Sequence, residues 1–294
     1  MKILLGPASK ELGEKIAKIL GVEAVPVFFK AFPDGESYVR LEGEVKGEDA
    51  VVVQTTSPPQ DTCLIQLALI ADAAKRNDAK KVLAVVPYLA YARQDKVFLK
   101  GEAVSIEAIA RMLKAAGVDS LITVNVHQKD VLDRFPFKAK SVSAIPLLAE
   151  HFKQRGFQGA FALAPDKGAM SIAQEAAKVL GGDCGYLEKH RDRYTGLVSV
   201  EKRDFNVKGK TAIIFDDIIS TGGTIVAAAN VLRELGAARV YAACVHPLLV
   251  GEAERRIREV GVAEIVGTDS VPSSVSKVSL APLICQTLRE LQSG

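Results

Sequence analysis

Short apolar runs alternate along the chain with longer segments of helical spacing. Ile3–Leu5, Val51–Gln54, Val82–Val86 and Leu121–Val126 are nearly continuous apolar stretches, as expected of strands covered on both faces of a parallel sheet. Between them, Ser9–Leu20, Asp61–Arg76 and Ser105–Ala116 repeat apolar residues at helical spacing, and Gly21 and Gly117 follow as stops. The pattern then restarts with a helix at Pro146–Arg155, a strand at Ala160–Ala164 and a helix at Ala169–Leu180. Strands follow near Gly185–Leu187, at Leu197–Val200 and at Ala212–Phe215. Helix Ile225–Leu235, strand Val240–Val245, helix Glu252–Val260 and strand Ala263–Gly267 complete the series. Such alternation predicts an α/β protein with mostly parallel sheets flanked by helices. Two runs of similar length predict two domains, residues 1–143 and 144–279, meeting within Ser141–Ile145. A last helix, Leu283–Leu291 within residues 280–294, is expected to pack back on the first domain.

Composition narrows the class. The 294 residues are 48% hydrophobic and 25% charged, an ordinary globular balance with ample material for a core. A net charge of +3 is too near zero to argue for nucleic acid or membrane as a bulk partner, and the absence of tryptophan with sparse aromatics gives no support to a base-stacking surface. No apolar run approaches the roughly 20 residues of a membrane-spanning helix, and the first one is too short for a signal peptide. Cys63, Cys184, Cys244 and Cys285 lie far apart with no C-x-x-C pair, which predicts reduced thiols in a cytoplasmic protein.

The chemistry concentrates at Thr211–Ile225. The apolar run Ala212–Phe215 leads into Asp216 and Asp217, then Ser220, Thr221, Gly222, Gly223 and Thr224, then a helix. Adjacent carboxylates repel unless something bridges them, and they are strong acceptors for vicinal hydroxyls. Glycine N–H groups and hydroxyls at a helix start form a cradle for phosphate. A phosphorylated polyol suits both halves. The alternative is an ordinary turn in which Ser220 or Thr224 caps the helix. The stretch lacks the lysine of a Walker A loop, and no G-x-G-x-x-G occurs in the chain.

Other clusters lie elsewhere along the chain, most of them where predicted strands end. Phe32-Pro-Asp-Gly-Glu36 is a Pro-Asp-Gly turn carrying an aromatic and two acids. Pro87–Asp95 follows the strand Val82–Val86, at the edge where α/β sheets bind ligands. Lys96–Glu102 beyond it suits either a lid over phosphates or a solvated loop. His127 ends one strand and Asp166 another, and with phosphate oxygens the two suit a hard cation such as Mg²⁺. Lys189 and Arg191 face one side if their segment is extended, either as charge for phosphoryl transfer or as part of a solvated basic patch.

In this order, Phe32–Glu36, Tyr91–Asp95, Gly101–Ser105, His127, Pro165–Gly168, Lys189 with Arg191, and Asp216–Thr224 resemble the ribose-phosphate diphosphokinases, within the phosphoribosyltransferase superfamily. The wording of Gly101–Ser105 and the compact length look like archaeal members; Asn125 stands where many members carry aspartate. The resemblance implies two phosphoribosyltransferase-like domains with the active site between them. It implies transfer of a diphosphoryl group from ATP to the anomeric hydroxyl of ribose 5-phosphate. Phe32, Asp34 and Glu36 would hold adenine from a neighbouring subunit of a homo-oligomer, at least a dimer. Arg93, Gln94 and Asp95 would bind ATP, and His127 and Asp166 Mg²⁺. Lys189 and Arg191 would stabilise the transition state. Asp216 and Asp217 would take the ribose hydroxyls and Ser220–Thr224 the 5-phosphate. A nucleobase phosphoribosyltransferase and a non-catalytic regulatory relative are the competing readings.

Overall fold

The apolar runs of the first half become the middle of a seven-stranded sheet. The computed structural model describes residues 1–191, 198–201 and 205–293, in two compact units, Met1–Ser143 with Ser279–Gly294, and Ala144–Val278. The first unit contains β1 (Lys2–Leu5), β2 (Ala24–Ala31), β3 (Ser37–Leu41), β4 (Asp49–Val53), β5 (Lys81–Val86), β6 (Ser120–Val124) and β7 (Lys138–Val142), in the spatial order β3-β2-β1-β4-β5-β6-β7. All neighbours run parallel except β2 and β3, which pair antiparallel as a hairpin. Helices α1 (Lys10–Leu20), α2 (Gln60–Arg76) and α3 (Ser105–Ala115) provide the crossovers.

Alternation of side chains along the strands divides the core in two. Leu4, Val52, Ala84, Val86 and Leu121 share a fully apolar cluster with Leu67 and Ile70 of α2 and Ile106, Ala110 and Leu113 of α3. On the other face, Gly13 of α1 lies against Leu5, Val53 and Ile3. The C-terminal helix belongs to this unit, where Cys285 Sγ contacts Ile16 O at 3.7 Å and Lys140 pairs with Glu290 at 3.1 Å.

Helix α4 (Ile145–Gln154) opens the second unit. Its sheet comprises β8 (Phe161–Ala164), β9 (Cys184–Tyr186), β12 (Thr211–Ile219), β13 (Arg239–Pro247), β14 (Val262–Thr268) and β15 (Ser276–Val278), all parallel, in the order β15-β14-β13-β12-β8-β9. Strands β10 (Glu188–Arg191) and β11 (Val198–Glu201) form a separate antiparallel ribbon. Helices α5 (Met170–Leu180), α6 (Gly223–Glu234) and α7 (Ala253–Glu259) complete the unit, and α8 (Ala281–Ser293) is the C-terminal helix described above. Ile225, Ala228 and Leu232 of α6 pack with Ile214, Ala242 and Ile265 of the sheet. Phe152 of α4 meets Phe215 and Tyr241 edge-on, with centroids 6.3 and 5.9 Å apart. Among the described residues no helix is long and apolar enough to cross a membrane.

In the first unit three strands escape the apolar-run criterion, and in the second one outlasts it. β2 and β3 are an edge hairpin on which only Val25 is fully covered, so neither reads as a buried run. β7, Lys-Ala-Lys-Ser-Val, is the opposite edge of that sheet. β12 was expected to end at Phe215 but continues to Ile219, because β13 pairs with it as far as Pro247. Its other neighbour, β8, stops earlier, at Leu163 opposite Ile214.

Candidate active site

The unequal strand lengths place the acid pair. Beyond Ile214 the β8 side of β12 has no registered partner, and Asp216 and Asp217 follow there, at the carboxyl edge of the sheet. Asp216 Oδ1 accepts the Asp217 N–H at 2.9 Å, and Asp217 Oδ1 accepts the Ile218 N–H at 2.8 Å. Both side chains are half-buried. Burial pushes the Asp216 carboxyl well above the usual carboxylate range, and the charges of Asp217 and then Asp166 push it the same way. A buried acid surrounded by acids is unfavourable alone and becomes favourable when hydroxyl donors or a cation arrive.

The turn into α6 settles the question of capping. Gly222 is the N-cap, at φ 79°, and no side chain caps the helix despite the hydroxyls of Ser220, Thr221 and Thr224 nearby. The first intrahelical bond runs from Val226 N to Gly222 O at 2.9 Å. The first-turn N–H groups therefore face outward with the positive end of the helix dipole, an arrangement that favours an anion. Gly223 is exposed, and a Cβ there would meet nothing within 4 Å. Gly222 is buried, and a Cβ would lie 2.9 Å from Ile257 Cδ1 of α7. The turn is braced by Arg256 Nη2, which donates to Thr221 O at 2.7 Å, and by Val250 N, which donates to Ser220 O at 3.0 Å. Asp166, half-buried, accepts the Ala169 N–H at 3.2 Å and caps the 3₁₀ turn after β8.

In the first unit, Phe32–Glu36 forms the tip of the β2–β3 hairpin. Phe32 N donates to Glu36 O at 2.8 Å, Gly35 (φ 95°) N donates to Phe32 O at 2.9 Å, and Asp34 Oδ1 accepts Glu36 N at 3.2 Å. Phe32, Asp34 and Glu36 are exposed, with Lys30 Nζ 5.0 Å from the Phe32 ring centre. Arg93 is exposed and Gln94 and Asp95 half-buried on the segment after β5, and Gln94 Oε1 accepts the Ser105 hydroxyl at 2.6 Å. Further on, Glu102 Oε2 accepts Phe98 N at 2.7 Å and Leu99 N at 2.9 Å, closing the loop on itself. His127 is exposed beyond β6, after Asn125, whose φ of 38° is one that Asn tolerates better than most residues.

His127 belongs to the first unit and Asp166 to the second. Among the described residues no group of three or more His, Cys, Asp or Glu side chains is arranged to hold a metal. The charges of Asp217 and Asp166 nonetheless add to burial in raising the Asp216 pKa, a repulsion of the kind that a divalent ion relieves. The backbone of Lys189 and Arg191 lies in β10, opposite Val200 and Val198, so both residues share one side of the ribbon's pleat. Their side chains lie outside the described residues, as does that of His190.

Arg256, Ser105 and Asp61, which accepts the Tyr91 phenol, were not foreseen as supports. A charge-rich helix such as α7 carries no local sign of which arginine reaches a loop carbonyl. For Ser105 the sign was present, a serine at the start of a helix beside the Gln94 segment.

Residues 1–117 match the family model described as the N-terminal domain of ribose phosphate pyrophosphokinase, and residues 202–290 that described as the phosphoribosyl synthetase-associated domain. The chain is 44% identical over 272 residues to the ribose-phosphate pyrophosphokinase of Saccharolobus solfataricus, covering 92% of this chain and 93% of the relative. It is 41% identical to that of Methanothermobacter thermautotrophicus, with 96% of this chain and 98% of the relative covered. Among solved structures, phosphoribosylpyrophosphate synthetase from Mycobacterium smegmatis superimposes with a TM-score of 0.88 at 32% identity, over 100% of this chain and 99% of the other. On this likeness, which spans nearly the whole chain, the protein belongs to the ribose-phosphate pyrophosphokinase family.

Proposed function

We propose that the protein transfers the β,γ-diphosphoryl group of ATP to the anomeric hydroxyl of ribose 5-phosphate, giving 5-phosphoribosyl 1-diphosphate and AMP for nucleotide biosynthesis. The observation that carries this reading is an uncapped, glycine-lined helix start directly after two crowded carboxylates, in a chain of this family. Ser220–Thr224 anchor the 5-phosphate, and Asp216 and Asp217 accept the ribose hydroxyls. Arg93, Gln94 and Asp95 hold ATP, with Phe32, Asp34 and Glu36 at its adenine.

The sugar hydroxyl oxygen attacks the β-phosphorus, the bond from that phosphorus to the α,β-bridging oxygen breaks, and AMP departs with the electron pair. The hydroxyl proton passes to solvent. In-line displacement at phosphorus demands positioning and neutralisation of charge more than a strong base. Lys189, Arg191 and Arg93 supply cationic charge around the transferred group. His127 and Asp166 would hold Mg²⁺, which would supply further charge neutralisation when bound.

Incubation with ATP, Mg²⁺ and ribose 5-phosphate should release AMP in step with 5-phosphoribosyl 1-diphosphate. No AMP across a broad range of conditions would refute the reading. The same reading makes the protein a cytoplasmic homo-oligomer, at least a dimer, whose exposed hairpin tip reaches the adenine bound by a second copy. The exposed aromatic rings Phe28, Phe32 and Tyr38 on that hairpin support it. A monomer by light scattering at assay concentration would overturn the assembly.

A further inference from the structure

The segment that follows β5 is buried without being helix or strand. Tyr88, Leu89, Ala90 and Ala92 are each at most 8% exposed, and the chain emerges only at Tyr91 and again at Arg93. A buried irregular segment needs partners for its backbone groups. Here one side chain supplies two of them. Thr56, three residues past the end of β4 and 0% exposed, donates its hydroxyl to Tyr88 O at 2.7 Å and accepts Ala90 N at 2.8 Å on the same oxygen. Its own N–H donates to Tyr88 O at 3.0 Å. A hydroxyl can give and take a hydrogen bond at one atom, which an aliphatic side chain of the same shape cannot.

Thr56 is in turn held in place. The preceding N–H, of Thr55, donates to Ser9 Oγ at 2.8 Å. Gln54, 0% exposed, donates from its backbone to Val85 O at 3.0 Å, and its side chain accepts Ala8 N and donates to Gln66 Oε1, both at 3.0 Å. Beyond Ala90, Tyr91 takes a φ of 66°, Gln94 N donates to Tyr91 O at 3.1 Å, and Arg93 projects outward. The backbone that presents Arg93 and Gln94 is thus clamped to the end of the neighbouring strand through one threonine.

We infer that Thr56 is a positioning residue for ATP, fixing the Tyr88–Ala92 backbone so that Arg93 and Gln94 stand ready for the nucleotide. The inference rests on the reading of Arg93 and Gln94 as ATP-binding. Thr56→Val keeps the shape but leaves the Ala90 N–H without its acceptor, and Thr56→Ser keeps the hydroxyl. Replacing the hydroxyl should raise KM for ATP about tenfold, as expected when one buried N–H is left without an acceptor, with little change in KM for ribose 5-phosphate. Thr56→Ser should restore KM for ATP to within about twofold of wild type. In an Arg93→Ala background the effect of Thr56→Val on KM for ATP should shrink, because a residue acting through Arg93 is not additive with its loss. If Thr56→Val does not fold, Thr56→Ala carries the same expectation. Normal wild-type turnover with an unchanged KM for ATP in the hydroxyl-free variant overturns the inference. So does an equal rise in both KM values, a serine variant as impaired as the valine, or full additivity with Arg93→Ala. Absence of AMP from the wild-type enzyme would instead defeat the parent reading, and this inference with it.

Discussion

Asp216→Asn should stabilise the ligand-free protein at neutral pH while weakening ribose 5-phosphate binding. Burial and the charges of Asp217 and Asp166 raise the Asp216 pKa in the folded state. An unfolded aspartate, with a pKa of about 3.9, releases its proton at pH 7; keeping that proton costs about 1.4 kcal/mol per pH unit, so the penalty is capped near 4 kcal/mol. Ionising both acids is no escape, because adjacent like charges repel, by about 4 kcal/mol for a generic pair roughly 4 Å apart at an effective dielectric of about 20. Asparagine avoids either cost but must bury an amide, so a net gain of about 2 kcal/mol is expected. For a unit of this size that is a rise of about 4–8 °C in Tm.

The pH dependence gives the sharper test. Below the unfolded pKa both states hold the proton and the penalty vanishes; it grows as pH rises and levels off above the raised folded value. Thermal melts of wild type and Asp216→Asn should therefore diverge at pH 7.5 and converge near pH 4. A Tm difference independent of pH, or an asparagine variant less stable at pH 7.5, would refute the account. Calorimetry with ribose 5-phosphate in buffers of different ionisation heat should show proton release on binding to wild type and less to the variant.

Three further outcomes follow from the packing and the proposed chemistry. Gly222→Ala places a methyl 2.9 Å from Ile257 Cδ1 at a left-handed φ of 79°, and should cost about 2–3 kcal/mol in denaturant unfolding and weaken phosphate binding. Gly6→Ala puts its Cβ 2.5 Å from the Val53 carbonyl oxygen, a backbone atom that cannot turn aside, so a loss of about 3 kcal/mol should appear in the same measurement. Chelation with EDTA should stop AMP formation and added Mg²⁺ restore it, as followed by chromatography of the nucleotides; undiminished turnover under chelation would exclude the metal's role.

Much of the architecture is written locally. Buried parallel strands such as Val82–Val86 need apolar residues on both faces, so they stand out as runs, and Gly21 and Gly117 take the positive φ expected of helix stops. The turn at Pro33-Asp34-Gly35 is likewise legible, since Gly35 meets the φ of 95° the turn demands. The strands flanking that turn were not legible, because an edge hairpin needs only one covered face and tolerates Lys30 and Arg40 on the other.

Local patterns along the chain carry the α/β class, the order of the buried strands and of the longer helices, and the chemical types gathered around Asp216–Thr224, since propensity, periodicity and residue identity are properties of short stretches. Only the tertiary structure decided that β12 carries both acids past its neighbour β8, that the hydroxyls of Ser220, Thr221 and Thr224 leave the helix start uncapped, and that Thr56 clamps the segment leading to Arg93. Each depends on how far a neighbouring strand extends or where a partner lies across the sheet, and residues 34 positions apart in sequence, as Thr56 and Ala90 are, share no local pattern that could announce the bond between them.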